Sequence, residues 1–320
     1  MSLHVLESLD LYPVVLPLVH RFRRVHEREI VLIQGPGGWG EFSPFPEYPP
    51  SVTSRWLAAA LELACSALPD PIHAKVPVNV TIPAVPPSIA TELVKSSGCS
   101  TAKVKVADPG QEEADDLERV AAVREALGPK GRIRVDVNGV WDVDTAIARI
   151  LRLSEFTLEY VEQPVTSPSD LARVRSETGV PIAIDESLRT ATDPRQVIES
   201  ANADVIVVKV QPLGGVVRTL DLARSSGVPV VVSSAVESSI GMFAGVLAAA
   251  CLEELPYACG LGTVSLLKDD VTGDRLVPVD GFLPVRRPVP DPDLVARLRP
   301  SNERAGDMLR RVRAAAELLT

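Results

Sequence analysis

The spacing of apolar positions along this chain changes character near residue 76. Before it, apolar and polar residues alternate through "LHVLESLDLYPVVLPL" and "EIVLIQGPGGWGEF", which predicts strands. "SVTSRWLAAALELACSAL" then repeats with helical spacing after a Ser start. From about Val76 onward, short apolar runs alternate with turns and helical stretches. The strand candidates are "VPVNVTIP", "AKVKVA", "RIRVDVNG", "LEYVEQP", "PIAIDE", "DVIVVKVQ", "VPVVVSSA" and "YACGLGT". Helices are expected between them at "QEEADDLERVAAVREALG", stopped by Gly128, and at "DVDTAIARILRL", "SDLARVRSETG" and "GVVRTLDLARSSG". Eight strands, helical segments between them and right-handed crossovers predict an α/β fold closed as a parallel barrel. An open doubly wound sheet is the alternative; the regular repeat and the lack of a G-x-G-x-x-G after the first strand weigh against it. A smaller α+β domain is expected over residues 1–84, completed by residues 285–320 beyond the Pro-rich "FLPVRRPVPDPD", with the barrel over 85–284.

Composition narrows the function. The 320 residues carry a net charge of −9, which disfavours a nucleic-acid or anionic-membrane partner and leaves room for cations. The first residues, "MSLHVLESLDLYPVVLPLVHRF", predict no signal peptide, and "GMFAGVLAAACL" is too short to span a bilayer. Cys65, Cys99, Cys251 and Cys259 form no C-x-x-C pair, so reduced structural thiols in a cytoplasmic protein are expected. Nothing in the sequence indicates an oligomeric state.

Charge then appears where burial is expected. Only seven of the 33 basic residues are lysines, yet Lys103 and Lys105 share one face of the apolar run "TAKVKVADPG". Lysine differs from arginine in giving up its proton within reach of neutral pH. Asp136, Glu162, Asp185 with Glu186, and Lys209 follow on the next four strand candidates, at intervals from Lys105 of 31, 26, 23 and 24 residues. Each interval is one strand plus one helix, so every unit delivers a charged group to the same barrel mouth. Asp136, Glu162 and Asp185 would repel one another unless a cation lay between them, and an all-oxygen set points to Mg²⁺ first and Mn²⁺ second. The histidines, His4, His20, His26 and His73, all precede the barrel, which argues against a His base within it and leaves proton transfer to lysine.

"KVK", "DVN", "VEQP", "IDES" and "VKVQPLGG", in this order, resemble the muconate-lactonizing subgroup of the enolase superfamily, as does "GWGEFSPFPEYPP" in its capping domain. The resemblance implies a modified (β/α)7β TIM-like barrel under an α+β cap, with Asp136, Glu162 and Asp185 as Mg²⁺ ligands and a small carboxylate as substrate. The short chain, "GWGEFSPFP" and "SSAVESSIG" are most similar to the branch that dehydrates 2-succinyl-6-hydroxy-2,4-cyclohexadiene-1-carboxylate in menaquinone biosynthesis. In that branch Lys105 would remove the α-proton and pass it to the departing hydroxyl, while Lys103 lowers the Lys105 pKa and Lys209 stabilises the enolate from the other side. Asn138 would orient a ligand or substrate oxygen, or merely cap a turn. Ser233, Ser234 and the turn from Ser239 to Gly241 would meet the succinyl tail, or the serines would be ordinary strand-end residues. Glu186 is expected beside a ligand rather than as one, Arg134 has no catalytic role, and Glu237 has no assignment. The alternatives are an N-succinylamino acid racemase or dipeptide epimerase of the same subgroup, the latter weakened by "CGLGT" on the eighth strand. A muconate cycloisomerase is weaker still, and a non-catalytic metal-binding scaffold has no physical reason to keep a repulsive lysine pair.

Overall fold

The computed structural model describes residues 6–23, 25–189, 191 and 193–319, so His4 lies outside the described residues. Three antiparallel strands open the chain: β1 (Asp10–Phe22), β2 (Val25–Gly35) and β3 (Gly38–Phe42). Helix α1 (Pro50–Cys65) lies on this sheet. It begins at Pro50 rather than at the expected serine, because proline needs no amide partner in a helix's first turn. The helix approaches β3 so closely that a Cβ on Gly40 would stand 1.9 Å from the Ala60 carbonyl oxygen, and only glycine fits.

Strand β4 (Lys75–Pro77) leads into the barrel strands β5 (Val80–Ile82), β6 (Thr101–Lys105), β7 (Arg132–Asp136), β8 (Leu158–Glu162), β9 (Ile182–Ile184), β10 (Val205–Lys209) and β11 (Val230–Ser233), hydrogen-bonded in chain order. Helices α2 (Pro87–Ser97), α3 (Glu113–Leu127), α4 (Val143–Leu153), α5 (Pro168–Thr178), the short α6 (Glu186–Arg189), α7 (Pro194–Ala201), the short α8 (Val210–Leu213), α9 (Val216–Ser225) and α10 (Ser239–Ala250) intervene or follow. Their ends obey local chemistry: Glu112 and Asp115 make a reciprocal capping box on α3, Asp142 caps α4, and Gly128 ends α3 at φ 71°.

The expected eighth strand, "YACGLGT", shrinks to two bridging residues. Cys259 pairs in parallel with Val78 and Gly260 with Ser233, which joins the last strand back to the first and closes the barrel. The parallel sheet takes in Val80–Ile82, so the barrel begins ahead of residue 85. Strand β12 (Phe282–Pro284), not anticipated from the sequence, pairs antiparallel with β4. The chain ends in α11 (Pro292–Arg297) and α12 (Asn302–Ala316). Met308, Val312, Ala315 and Ala316 of α12 share one buried cluster with Val31, Ile33, Trp56 and Leu57, so the last helix completes the N-terminal domain's core. The four cysteines are unpaired, and no helix among the described residues is long and apolar enough to cross a membrane.

Candidate active site

Strand register assembles the site. Lys105 on β6 lies beside Asp136 on β7, and Asp136 beside Glu162 on β8, so three charged residues form a row across the C-terminal ends of adjacent strands. The two-residue period puts Lys103 on the same face as Lys105, one layer deeper. Its Nζ bridges Asp136 Oδ2 at 2.9 Å and Glu162 Oε1 and Oε2 at 2.9 and 3.1 Å. Lys105 Nζ donates to Asp136 Oδ2 at 2.5 Å and to Asn138 Oδ1 at 2.8 Å. On the far side Lys209 Nζ pairs with Asp185, whose two oxygens also accept from Arg189 Nη2 at 2.9 and 2.8 Å.

Burial and neighbouring charge give the three lysines different characters. Burial would depress the Lys103 ammonium, but Asp136 and Glu162 override it and hold its pKa well above the ordinary lysine range. Burial pulls Lys105 down, against Asp136 and with help from Lys103. Lys209 is also lowered, first by burial and then by Arg189. The carboxylates divide in the same way. Burial would raise Asp136 and Asp185, but Lys103 and Lys105 hold the first below its ordinary value, and Arg189 and Lys209 hold the second. Glu162 is pushed up to about 7 by burial and by Asp136.

Asp136, Glu162 and Asp185 fit a hard divalent ion in donor chemistry: three buried carboxylates on adjacent strand ends. As the side chains lie, no three Asp, Glu, His or Cys groups among the described residues converge as a ligand cluster. The reason is visible, since ammonium and guanidinium groups relieve the repulsion that the sequence reading assigned to a cation. Glu162 is the least compensated of the three, with Lys103 as its one cationic partner at hydrogen-bond distance among the described residues.

The other expected residues separate into two groups. Asn138, at φ 53°, accepts from Lys105 and donates to Glu186 Oε1 at 3.0 Å, so it ties Lys105 to the acidic pair that follows the fifth barrel strand. Ser233 and Ser234 line one cavity with Lys103, Lys105, Asn138 and Lys209. Ser234 Oγ also bonds the Gly260 carbonyl at 2.9 Å and Thr263 Oγ1 at 2.7 Å. Ser239 and Gly241 are not brought to this cavity. Ser239 Oγ donates to Asp270 at 2.6 Å, and the Gly241 amide donates to Glu41 at 3.1 Å, so the helix-start donors expected for a substrate carboxylate are occupied by the protein's own acids. Arg134 turns to the barrel floor, where it meets Glu159 at 2.5 Å and the Ala258 carbonyl at 2.6 Å and lies over the Tyr160 ring.

Sequence reasoning missed Arg189 and the cap residues. Arg189, one helical turn after Asp185, was legible as an i,i+4 pair; its second bond, to Tyr48 Oη at 2.7 Å, was not. Phe22, Arg23 and Phe45 reach the cavity from the N-terminal domain, and an outer part of about 220 Å³ opens between Arg21, Arg23, Glu47 and Lys105.

The chain is similar to known proteins over most of its length. Residues 88–291 match the Enolase C-terminal domain-like family and residues 14–64 the Enolase N-terminal domain-like family. The chain is 58% identical over 272 residues to the o-succinylbenzoate synthase of Thermobifida fusca, covering 85% of this chain and 86% of that protein. It is 48% identical over 311 residues to that of Mycolicibacterium smegmatis, covering 97% and 96%. Its fold superposes on muconate cycloisomerase from Pseudomonas fluorescens with a TM-score of 0.76 at 20% identity, over 91% of this chain and 98% of the other.

Proposed function

Because the chain belongs to the enolase superfamily, we propose that it catalyses the reaction for which its curated relatives are named, forming 2-succinylbenzoate by loss of water from 2-succinyl-6-hydroxy-2,4-cyclohexadiene-1-carboxylate in menaquinone biosynthesis. The observation that carries this reading is the gathering of Lys103, Lys105 and Lys209 with Asp136, Glu162 and Asp185 at one end of five successive parallel strands.

Lys105 is the acid and base. Its side chain lines the cavity, and burial lowers its pKa, in the direction that favours the free amine needed to take the α-proton. The ammonium so formed gives that proton to the departing hydroxyl, which leaves as water and returns Lys105 to the amine. One lysine suffices when proton and hydroxyl leave from one face. Lys103, with its raised pKa, stays an ammonium throughout and keeps Lys105 low. Lys209 contributes a cation from the other side, held by Asp185. Asn138 fixes the Lys105 amine through its side-chain oxygen. Ser233 and Ser234 line the wall nearest the succinyl chain.

Superfamily members use divalent metal ions. Here Asp136, Glu162 and Asp185 would hold Mg²⁺, with Mn²⁺ as a substitute, and the ion when bound supplies positive charge to the substrate carboxylate. The net charge of −9 supports a small-molecule partner rather than nucleic acid, and the unpaired cysteines support a reducing compartment such as the cytoplasm.

A second reading rests on one specific observation: Lys105 and Lys209 both line the cavity and both have lowered pKa values. Two such bases suit racemisation of N-succinylamino acids. An assay of both reactions with purified protein and Mg²⁺ decides. Dehydration faster than deuterium exchange at the amino-acid α-carbon supports the dehydratase, and the reverse order refutes it.

A further inference from the structure

The motif "GWGEFSPFP" has a physical task that the acid–base machinery does not use. Its residues Glu41, Ser43 and Phe45 stand in a buried seam between the cap and the C-terminal ends of the barrel strands. Three cap residues hydrogen-bond across that seam. Glu41 accepts from the Ser238 hydroxyl and from the Gly241 amide at 3.1 Å, at the start of α10. The Ser43 amide donates to Gln211 Oε1 at 3.2 Å, two residues past Lys209. Arg28 of β2, 1% exposed, donates from Nε to the Val236 carbonyl at 3.2 Å and from Nη2 to the Ser43 carbonyl. Its guanidinium carbon also lies 3.9 Å from the centre of the Phe45 ring.

Val236 is the unusual partner. It is β-branched, buried and held at φ 61°, a left-handed conformation that such residues avoid. Val236 and Phe45 line the cavity that holds Lys105 and Lys209. One guanidinium therefore touches two walls of that cavity, one from each domain, and bonds the carbonyl of the strained residue.

We propose that Arg28 is a positioning residue that sets the shape of the substrate cavity by clamping the Val236 carbonyl and the Phe45 ring together across the domain seam. Arginine is required because a planar fork can bond two carbonyls while its face lies on a ring; a lysine ammonium keeps the charge but not that geometry. The substrate used to detect the effect rests on the dehydratase reading above.

The test compares wild type, Arg28→Lys, Val236→Asn and the double variant, because Asn enters the left-handed region far more readily than Val. Arg28→Lys should raise KM for the cyclohexadiene acid about tenfold and change kcat by less than about threefold, since the acid–base pair is untouched. Amide hydrogen exchange across residues 234–238 should quicken in the same variant. Val236→Asn should bring KM and exchange back toward wild type in the Arg28→Lys background. A folded Arg28→Lys with unchanged KM and exchange overturns the proposal, as does a Val236→Asn substitution that recovers neither. If Arg28→Lys alone does not accumulate as folded protein, the double variant is read against Val236→Asn, where a tenfold gap in KM would equally overturn the clamp through Val236. An inactive wild type refutes the dehydratase reading only, because the exchange measurements still decide the positioning.

Discussion

Glu41 offers the sharpest quantitative test of the domain seam. Its carboxylate is fully buried, and desolvation raises its pKa from an ordinary 4.5 to about 7, despite hydrogen bonds from Ser238 and Ser43. The folded state therefore binds more protons than the unfolded chain between these two values, so stability is fully present below the unfolded pKa and falls as pH rises through 7. At about 1.4 kcal/mol for each pH unit of displacement, the loss across this window is about 3 kcal/mol. Glu41→Gln keeps the shape and neutrality of the protonated acid, and its amide oxygen can still accept at the start of α10. The expected result is near-equal stability of wild type and Glu41→Gln at pH 4, with the variant ahead by about 3 kcal/mol at pH 8.5. Urea unfolding at closely spaced pH values measures it. Glu162, which is not among the charges that act on Glu41, titrates in both proteins and cancels in the difference. Parallel stability–pH curves for the two proteins would refute the reasoning, because the buried charge would then have to be matched at every pH.

Lys105→Ala should lower kcat for the cyclohexadiene acid by about 10²- to 10⁴-fold while leaving the protein folded, since Asp136 keeps Lys103 as its partner; near-normal turnover in a steady-state assay would remove Lys105 as the base. Exhaustive chelation should abolish turnover and added Mg²⁺ restore it, and full activity after chelation would dismiss the ion. Arg134→Met should cost about 1–3 kcal/mol in urea unfolding, because Glu159 keeps only the exposed Arg132 and the Ala258 carbonyl loses its donor. Activity per folded molecule should be unchanged, and a fall in kcat would place Arg134 in the chemistry rather than in the barrel floor.

The barrel was legible because its signals are local and repeated. Period-two apolar runs and Gly128 after α3 each act within a few residues, and the structure keeps both. The charged series was legible for a related reason: one strand and one helix separate each member, so spacing along the chain becomes position around the mouth. What failed to carry over was chemistry supplied by distant residues. Ser239 and Gly241 read as donors for a substrate carboxylate, yet Asp270 and Glu41 already hold them. The eighth strand read as seven residues, although Cys259 and Gly260 alone make the closing bridges. Arg28 gave no signal on an exposed-looking, charged stretch of β2, because its partners lie at Ser43 and Val236.

By itself, then, the sequence determined the period of each element, the order in which charge reaches the barrel mouth and the absence of histidine from the barrel, all properties of short range or of simple counting. Only the tertiary structure decided which carboxylates each lysine meets, which cations separate the carboxylates and which cap residues wall the cavity. Those outcomes depend on burial and on distances of about 3 Å between groups dozens to hundreds of residues apart, and desolvation and Coulomb energy at such contacts have no counterpart in linear spacing.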